Sequence, residues 1–160
     1  ALPISTLTAL YLNGDDVELL HVGDSRCYLI KKNKVELLSH DHTVMQELLD
    51  QGRLSPDEVF NHPQRALLTQ VLMGDSGIHP MLLVRGVKKG DRFLLCSDGL
   101  SSILSESEIN EILKKKGDLV SELLAAVKEA GAPDNVTIIL SEVVEIEEAS
   151  ELAKLGAANG

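Results

Sequence analysis

The N-terminal part of the chain alternates apolar and polar positions in the manner of half-buried β-strands. Turn sequences divide it, with Asn13-Gly14-Asp15-Asp16 joining the first two runs and Lys31-Lys32-Asn33-Lys34 joining the next two. The apolar runs predict four strands, at 6–12, 17–22, 26–30 and 35–38. Because the connections are short, the pattern favours antiparallel pairing in a meander.

A helical periodicity replaces the strand pattern after the fourth run. Val44, Leu48 and Leu49 form a short apolar stripe, and Ser55-Pro56-Asp57-Glu58 has the spacing of a capping box with proline at the first helical position. We predict that residues of about 42–79 form a small helical excursion from the sheet, suited to a surface flap.

Strands and helices both occur in the C-terminal half. Capping signals at Ser105 and Asp118 begin two amphipathic helices, the second of which ends at Gly131. Apolar runs predict three more strands, the last of them fully buried, at 81–87, 93–96 and 136–140. Residues 145–160 are acidic and then rich in alanine, which indicates a C-terminal tail.

Composition narrows the class of protein. A length of 160 residues suits one domain, and 44% hydrophobic residues are enough for a core. The formal net charge of −10 argues against a nucleic-acid or anionic-membrane partner. No apolar run reaches the roughly 18 residues that a membrane span needs. Cys27 and Cys96 lie in apolar runs, so we expect buried free thiols in a reducing compartment, by default the cytoplasm.

Three aspartates stand where strongly apolar runs begin or end, in Gly23-Asp24-Ser25-Arg26, Ser97-Asp98-Gly99-Leu100 and Pro133-Asp134-Asn135-Val136. A carboxylate at the rim of a sheet, beside a small residue, can point into a shared cleft. Such hard oxygen ligands favour Mg²⁺ or Mn²⁺ over zinc. Asp-Gly and Asp-Asn are also common turn sequences, so each motif taken singly has an ordinary structural explanation.

Together and in this order, the three motifs resemble signature motifs of the metal-dependent protein phosphatases (the PPM family, type 2C). Asp41-His42-Thr43 and His62-Pro63-Gln64-Arg65 resemble the flap region of its bacterial members. The resemblance runs from about Thr6 to Ser141. It implies an α/β fold of the layered α+β kind, in which two antiparallel β-sheets pack face to face with flanking helices (an α-β-β-α sandwich), here incomplete at the N-terminus.

The resemblance also implies roles for individual residues. Asp98 and Asp134 would be ligands of a binuclear Mn²⁺ or Mg²⁺ centre that activates a water, and Asn135 would help to orient that water. Asp24 would share a third, looser ion with Asp98. The implied reaction is the hydrolysis of phosphoserine and phosphothreonine in phosphorylated proteins, opposing a bacterial Ser/Thr protein kinase.

The 160 residues also depart from the family pattern. They lack an Arg that grips the phosphate, an acidic Asn-x-Asp-type motif, an Asp-Gly-x-Gly-Gly loop whose Asp bridges both metals, and a nearby His. We therefore expect residues 1–144 to be a truncated, N-terminally incomplete catalytic domain that is inactive alone, with one sheet exposing apolar surface. The alternatives are a catalytically inactive pseudophosphatase that serves as a binding module, and a plain divalent-cation-binding module.

Several other polar residues have ordinary structural explanations. His21 is expected to be a packed core histidine, and His40 and His42 are expected to belong to the segment that leads into the flap helix. Arg26 and Arg65 could contact phosphate, but structural ion pairs are the simpler explanation.

Overall fold

The computed structural model of the protein describes residues 4–32, 34–60, 62, 67–74 and 77–145. Within these ranges the chain forms seven strands and five helices. In chain order they are β1 (Leu7–Asn13), β2 (Asp16–Val22), β3 (Arg26–Lys31), β4 (Lys34–Leu37), α1 (Val44–Asp50), α2 (Pro56–Phe60), β5 (Met81–Gly86), β6 (Arg92–Cys96), α3 (Asp98–Ser101), α4 (Glu106–Leu113), α5 (Leu119–Glu129) and β7 (Ile138–Glu142).

The strands form two antiparallel sheets, the first in the order β1-β2-β5 and the second in the order β4-β3-β6-β7. Both hairpins that the turn sequences predicted, β1–β2 and β3–β4, are present. The predicted meander is wrong, because the chain passes from the first sheet to the second between β2 and β3. The crossover loop, residues 23–25, therefore connects one strand of each sheet.

Two hydrophobic clusters hold the layers together. Alternation along β3 places Cys27 and Leu29 in the cluster between the sheets, and Tyr28 and Ile30 in the cluster under α4 and α5. Both faces of the strand are covered, which explains its uninterrupted apolar sequence. Cys27 and Cys96 are both buried free thiols, as predicted.

The helices that cover the second sheet begin where the capping signals predicted. The Ser105 hydroxyl accepts from the Glu108 N–H, and the Glu108 carboxylate accepts from the Ser105 N–H. Asp118 caps α5 by accepting from the Ser121 N–H at 3.1 Å. Both helices bury an apolar face, formed by Ile109, Leu113, Leu119, Leu123 and Val127. No helix in the described part of the chain is long and apolar enough to cross a membrane.

The predicted helical excursion is confirmed for its two helices, α1 and α2. The Thr43 side chain caps α1, and the Glu58 carboxylate accepts from both the N–H and the hydroxyl of Ser55 before α2. The chain returns to the start of the excursion at Leu68, which forms an isolated bridge with Thr43. The limits of a flap at 42–79 stay a prediction.

β7 is not the fully buried strand that the sequence predicted at 136–140. It begins at Ile138, and Ile139 is 55% exposed. β7 is the edge strand of the second sheet, paired with β6 alone among the described strands. A strand of β-branched and apolar residues gives no local sign of this edge position, since burial here depends on which strands surround it.

The outward face of the first sheet exposes a set of apolar side chains. Tyr11, Glu18 and Val84 are register partners across β1, β2 and β5, and so they share one face. On this face Tyr11 is 64%, Val84 is 59% and Leu82 is 76% exposed. The expectation that one sheet exposes apolar surface is therefore confirmed. We call Tyr11, Leu82 and Val84 the apolar patch.

Candidate metal centre

Asp24 lies in the crossover loop, whose backbone requires glycine at position 23. Gly23 has a φ of +114°, and a Cβ on it would overlap the side chain of Thr6. The other side of the loop is bonded to β1, because the Thr8 hydroxyl donates to the Ser25 carbonyl at 3.2 Å. The loop that carries Asp24 is thus packed closely against the first strand.

Asp98 is separated from β6 by Ser97 alone and is the first residue of α3, a four-residue helix that the sequence did not predict. Ser97, just before it, is bonded twice to Thr137. The Ser97 N–H donates to the Thr137 carbonyl at 3.0 Å, and the Ser97 hydroxyl accepts from the Thr137 N–H at 3.0 Å. These bonds fasten the end of β6 to the segment that carries Asp134 and Asn135.

Gly99 explains why the second and third motifs lie against each other. A Cβ at position 99 would overlap the Asn135 carbonyl oxygen and lie 2.9 Å from the Asn135 carbonyl carbon. The first turn of α3 therefore packs directly on the backbone of the third motif, where Asp134 Oδ1 accepts from the Asn135 N–H at 2.7 Å. Glycine is required here for space, because its own φ is not positive.

The charge of Asp24 is disfavoured in this environment. Burial raises the pKa of the Asp24 carboxyl to about 6, and the negative charges of Asp98 and Asp41 contribute in the same direction. Arg26 opposes the shift more weakly. A divalent cation near Asp24 and Asp98 would offset both burial and charge repulsion, since it would replace the lost solvation and neutralise the two negative charges. The chemistry of this pair therefore fits a hard cation such as Mn²⁺ or Mg²⁺.

The structure relates the predicted ligands two at a time, through one electrostatic interaction and one packing contact between segments, and not as one cluster. Asp24 interacts electrostatically with Asp98, and the segment of Asp98 packs on the segment of Asp134 and Asn135. Within the described ranges, no group of three or more His, Cys, Asp or Glu side chains is arranged to hold a metal ion. Asp98 is the residue that the two pairs share.

The crossover loop and the end of β6 border a cleft of about 250 Å³ at the edges of the two sheets. Hydroxyl groups and apolar side chains both line it, from Thr8, Ser25, Leu95, Cys96, Ser97, Thr137 and Ile139. The cleft is an opening in which a small polar group could approach the crossover loop and the end of β6.

Arg26 makes the structural ion pair that the sequence suggested. Its Nη2 lies 2.8 Å from Asp41 Oδ2, and its Nε lies 3.1 Å from both carboxylate oxygens of Asp41. This fork geometry engages two of the three guanidinium nitrogens with one carboxylate. Arg65, with the rest of the motif 63–65, lies outside the described residues.

His21 is completely buried, as predicted for a core histidine. Its Nδ1 lies 2.9 Å from the Thr8 hydroxyl, and its ring centroid lies 5.1 Å from that of His42. Burial lowers the pKa of both imidazoles. Sequence reasoning missed the contact between His42 and the Gly23 backbone, for which the only signal is the place of His42 directly before the helix cap Thr43.

Comparison with known proteins adds independent support. A family model described as protein phosphatase 2C matches residues 5–48. The serine/threonine protein phosphatase PstP of Mycobacterium tuberculosis is 39% identical over 143 residues, which are 88% of this chain and 28% of that protein. The serine/threonine phosphatase stp of Listeria monocytogenes is 34% identical over 141 residues, which are 86% of this chain and 56% of that protein. The chain belongs to the protein phosphatase 2C family.

Solved structures of the protein phosphatase 2C family have the same fold. The crystal structure of M. tuberculosis PstP matches with a TM-score of 0.81 and 38% identity, over 88% of this chain and 60% of that one. The PstP catalytic domain in complex with two manganese ions matches with a TM-score of 0.78 and 37% identity, over 88% and 59%. These matches confirm the α+β architecture of two antiparallel sheets with flanking helices. The chain spans little more than half the length of these solved structures.

Proposed function

We propose that this chain supplies part of the active site of a Ser/Thr protein phosphatase, which hydrolyses phosphoserine and phosphothreonine in proteins with Mn²⁺ or Mg²⁺. The observation that carries the proposal is the packing of Gly99 on the Asn135 backbone, which places the first turn of α3, beginning at Asp98, next to the Asp134–Asn135 segment. Its second support is the raised pKa of Asp24 beside Asp98, which a divalent cation would relieve.

Each site residue has a separate task in this proposal. Asp98 and Asp134 would hold the two ions, and Asp24 and Asp98 would hold a third, looser one. When bound, the cations supply a water of lowered pKa and neutralise the phosphate oxygens. Asn135 would donate a hydrogen bond that orients the attacking water. The bonds between Ser97 and Thr137 fasten the two segments that carry these groups and would thereby help to preorganise the site.

The substrates would be phosphorylated proteins of the bacterial cytoplasm, and a Ser/Thr protein kinase of the same cell would supply them. The relatives named above support this only through their own descriptions as serine/threonine phosphatases. Which ion serves in the cell, Mn²⁺ or Mg²⁺, would follow from titrating activity against each.

The experiment that tests the proposal is Mn²⁺-dependent hydrolysis of p-nitrophenyl phosphate, measured on this chain and on the full gene product. Asp98→Asn removes a ligand charge at nearly constant volume, and Asp15→Asn makes the same change in the exposed β1–β2 turn. In the full gene product, we expect Asp98→Asn to lower turnover roughly a hundredfold or more, since a bound metal contributes several kcal/mol. Asp15→Asn should leave turnover unchanged.

Each outcome of this assay has a defined meaning. Turnover that survives Asp98→Asn contradicts the proposed site. Turnover in the full gene product but not in this chain agrees with the expectation that the chain is inactive alone. Bound Mn²⁺ without turnover in either polypeptide favours the alternative, a non-catalytic member of the family that serves as a binding module.

A further inference from the structure

One residue, His42, is bonded to the backbone of the Asp24 loop on both sides of Gly23. The Gly23 N–H donates to His42 Nδ1 at 3.1 Å, and the His42 N–H donates to the Gly23 carbonyl at 2.7 Å. The Gly23 carbonyl and the Asp24 N–H belong to one planar peptide unit. The second bond therefore fixes the plane from which the Asp24 side chain projects.

Glycine restrains its own backbone less than any other residue. A larger residue, which would restrain the backbone more, does not fit at position 23, because its Cβ would overlap the side chain of Thr6. The order of this loop must therefore come from groups outside it. His42 supplies an acceptor and a donor in one residue, separated from Gly23 by 19 positions in the sequence.

The imidazole of His42 is held in the state that this contact needs. Because Nδ1 accepts a hydrogen bond, it carries no proton, and the neutral ring has its proton on Nε2. Burial and the neighbouring His40 both lower the pKa of His42, while Asp41 opposes them. The ring packs against that of His21 at 5.1 Å between centroids, with an interplanar angle of 33°.

His42 also lies where the helical excursion leaves the sheet and returns to it. Its carbonyl accepts from the Thr69 N–H at 2.8 Å, where the chain returns from α1 and α2. The next residue, Thr43, caps α1, and the Val44 N–H donates to the Leu67 carbonyl at 2.9 Å. A displacement of the excursion would thus reach the Asp24 loop through His42.

We propose that His42 is a positioning residue. Its imidazole holds the N–H of the Val22–Gly23 peptide, its own backbone N–H holds the carbonyl of the Gly23–Asp24 peptide, and the two contacts together set the direction in which Asp24 presents its carboxylate to a divalent cation. Only the cation in this statement rests on the proposed function. The contact between the imidazole and the loop can be tested without it.

The test compares two amide substitutions of the same residue. In His42→Asn the side-chain oxygen can take the place of Nδ1, whereas in His42→Gln it reaches the place of Nε2 and leaves the Gly23 N–H without its acceptor. His40→Gln is the matched control, because His40 is 52% exposed and pairs with Asp50 at the surface. Circular dichroism checks that all three variants are folded.

Two quantities are measured on each variant. Hydrogen exchange of the Gly23 amide, followed by NMR without metal, reports the contact itself. Mn²⁺ binding, followed by the EPR signal of the free ion with Asp24→Asn as reference, reports its consequence. We expect His42→Gln to accelerate exchange and to weaken Mn²⁺ binding by about tenfold, as for other groups that orient a ligand. His42→Asn should retain most of both properties, and His40→Gln should change neither.

The proposal is overturned if His42→Gln matches the wild type in exchange and in Mn²⁺ binding. It is equally overturned if the folded His42→Asn and His42→Gln variants lose both properties to the same extent, since the position of the acceptor would then not matter. If the wild type binds no Mn²⁺ that depends on Asp24, the proposed third cation site fails. The exchange measurement still decides whether His42 holds the loop.

Discussion

Burial of the Asp24 carboxyl has a cost in stability that its proposed role as a cation ligand would offset. Its folded pKa of about 6 lies above the ordinary value of 3.8. The folded chain therefore binds a proton more tightly than the unfolded chain does, and stability falls as the pH rises through this range. At neutral pH the charged carboxylate destabilises the fold unless a cation compensates for it.

Replacing Asp24 by asparagine should therefore stabilise the metal-free chain. After allowance for the partial exposure of the side chain, we expect the free energy of unfolding to rise by on the order of 1 kcal/mol at pH 8. The gain should shrink as the pH falls below about 6, where the wild-type carboxyl takes up its proton. Urea denaturation at several pH values in chelator measures it, with Asp15→Asn as the control. A loss of stability at pH 8 would show that the charge is not disfavoured.

His21 should produce the opposite dependence on pH. Burial lowers its pKa below 6.5 in the folded chain, so the unfolded chain takes up the proton first. Stability contributed by the neutral imidazole is present above pH 6.5 and is lost as the pH falls through the folded pKa. His21→Asn keeps a hydrogen-bonding partner for the Thr8 hydroxyl and should weaken the fall in stability between pH 7 and pH 5. An unchanged pH profile in this variant would contradict the assignment.

At the scale of elements, α3 and the third motif behave as one unit. Gly99→Ala should push the two segments apart and lower the free energy of unfolding by about 1–3 kcal/mol, the usual cost of overpacking. Gly77→Ala is the matched control, because Gly77 has no positive φ and a Cβ there would meet open space. Chemical denaturation compares the two. Equal stability of both variants would mean that the Asn135 segment moves aside without cost.

The elements also show which parts of the fold the sequence can predict. Helices α4 and α5 were predicted from caps that are local hydrogen bonds within four residues. The crossover between β2 and β3 was not predicted, because a short connection does not determine which strands pair with each other. The exposure of Ile139 was missed for the same reason, because an edge position is a property of the sheet.

The candidate site also has features that the sequence can predict and features that it cannot. The proposed ligand residues can be named from the sequence, because each motif is a short local sequence at the end of an apolar run. Their mutual placement could not, because it depends on the contact of Gly99 with Asn135, 36 positions apart in the printed sequence. The bond between His42 and Gly23 likewise joins distant residues and leaves no local pattern.

At the scale of the whole molecule, the apolar patch on the first sheet should govern behaviour in solution. Exposed apolar surface on a sheet favours association, whereas the net charge of −10 opposes it. We expect the isolated chain to self-associate, and to do so more strongly at high salt, where the charge is screened. Light scattering at two salt concentrations measures this, and a monodisperse monomer in both would contradict it.

The double variant Leu82→Lys with Val84→Lys should shift the chain towards monomer, because it places two charges within the patch. Val144→Lys is the control, since Val144 is also exposed but lies outside the first sheet. Association that persists unchanged in the double variant would assign it to another surface.

In the proposed site, Asp98 is the aspartate that the cation sites share. The most direct test is the number of Mn²⁺ ions bound by the full gene product, measured by titration in the wild type, Asp98→Asn and Asp24→Asn. We expect Asp24→Asn to lose only the looser ion, and Asp98→Asn to weaken the tighter ones as well. Wild-type Mn²⁺ binding in Asp98→Asn would contradict it.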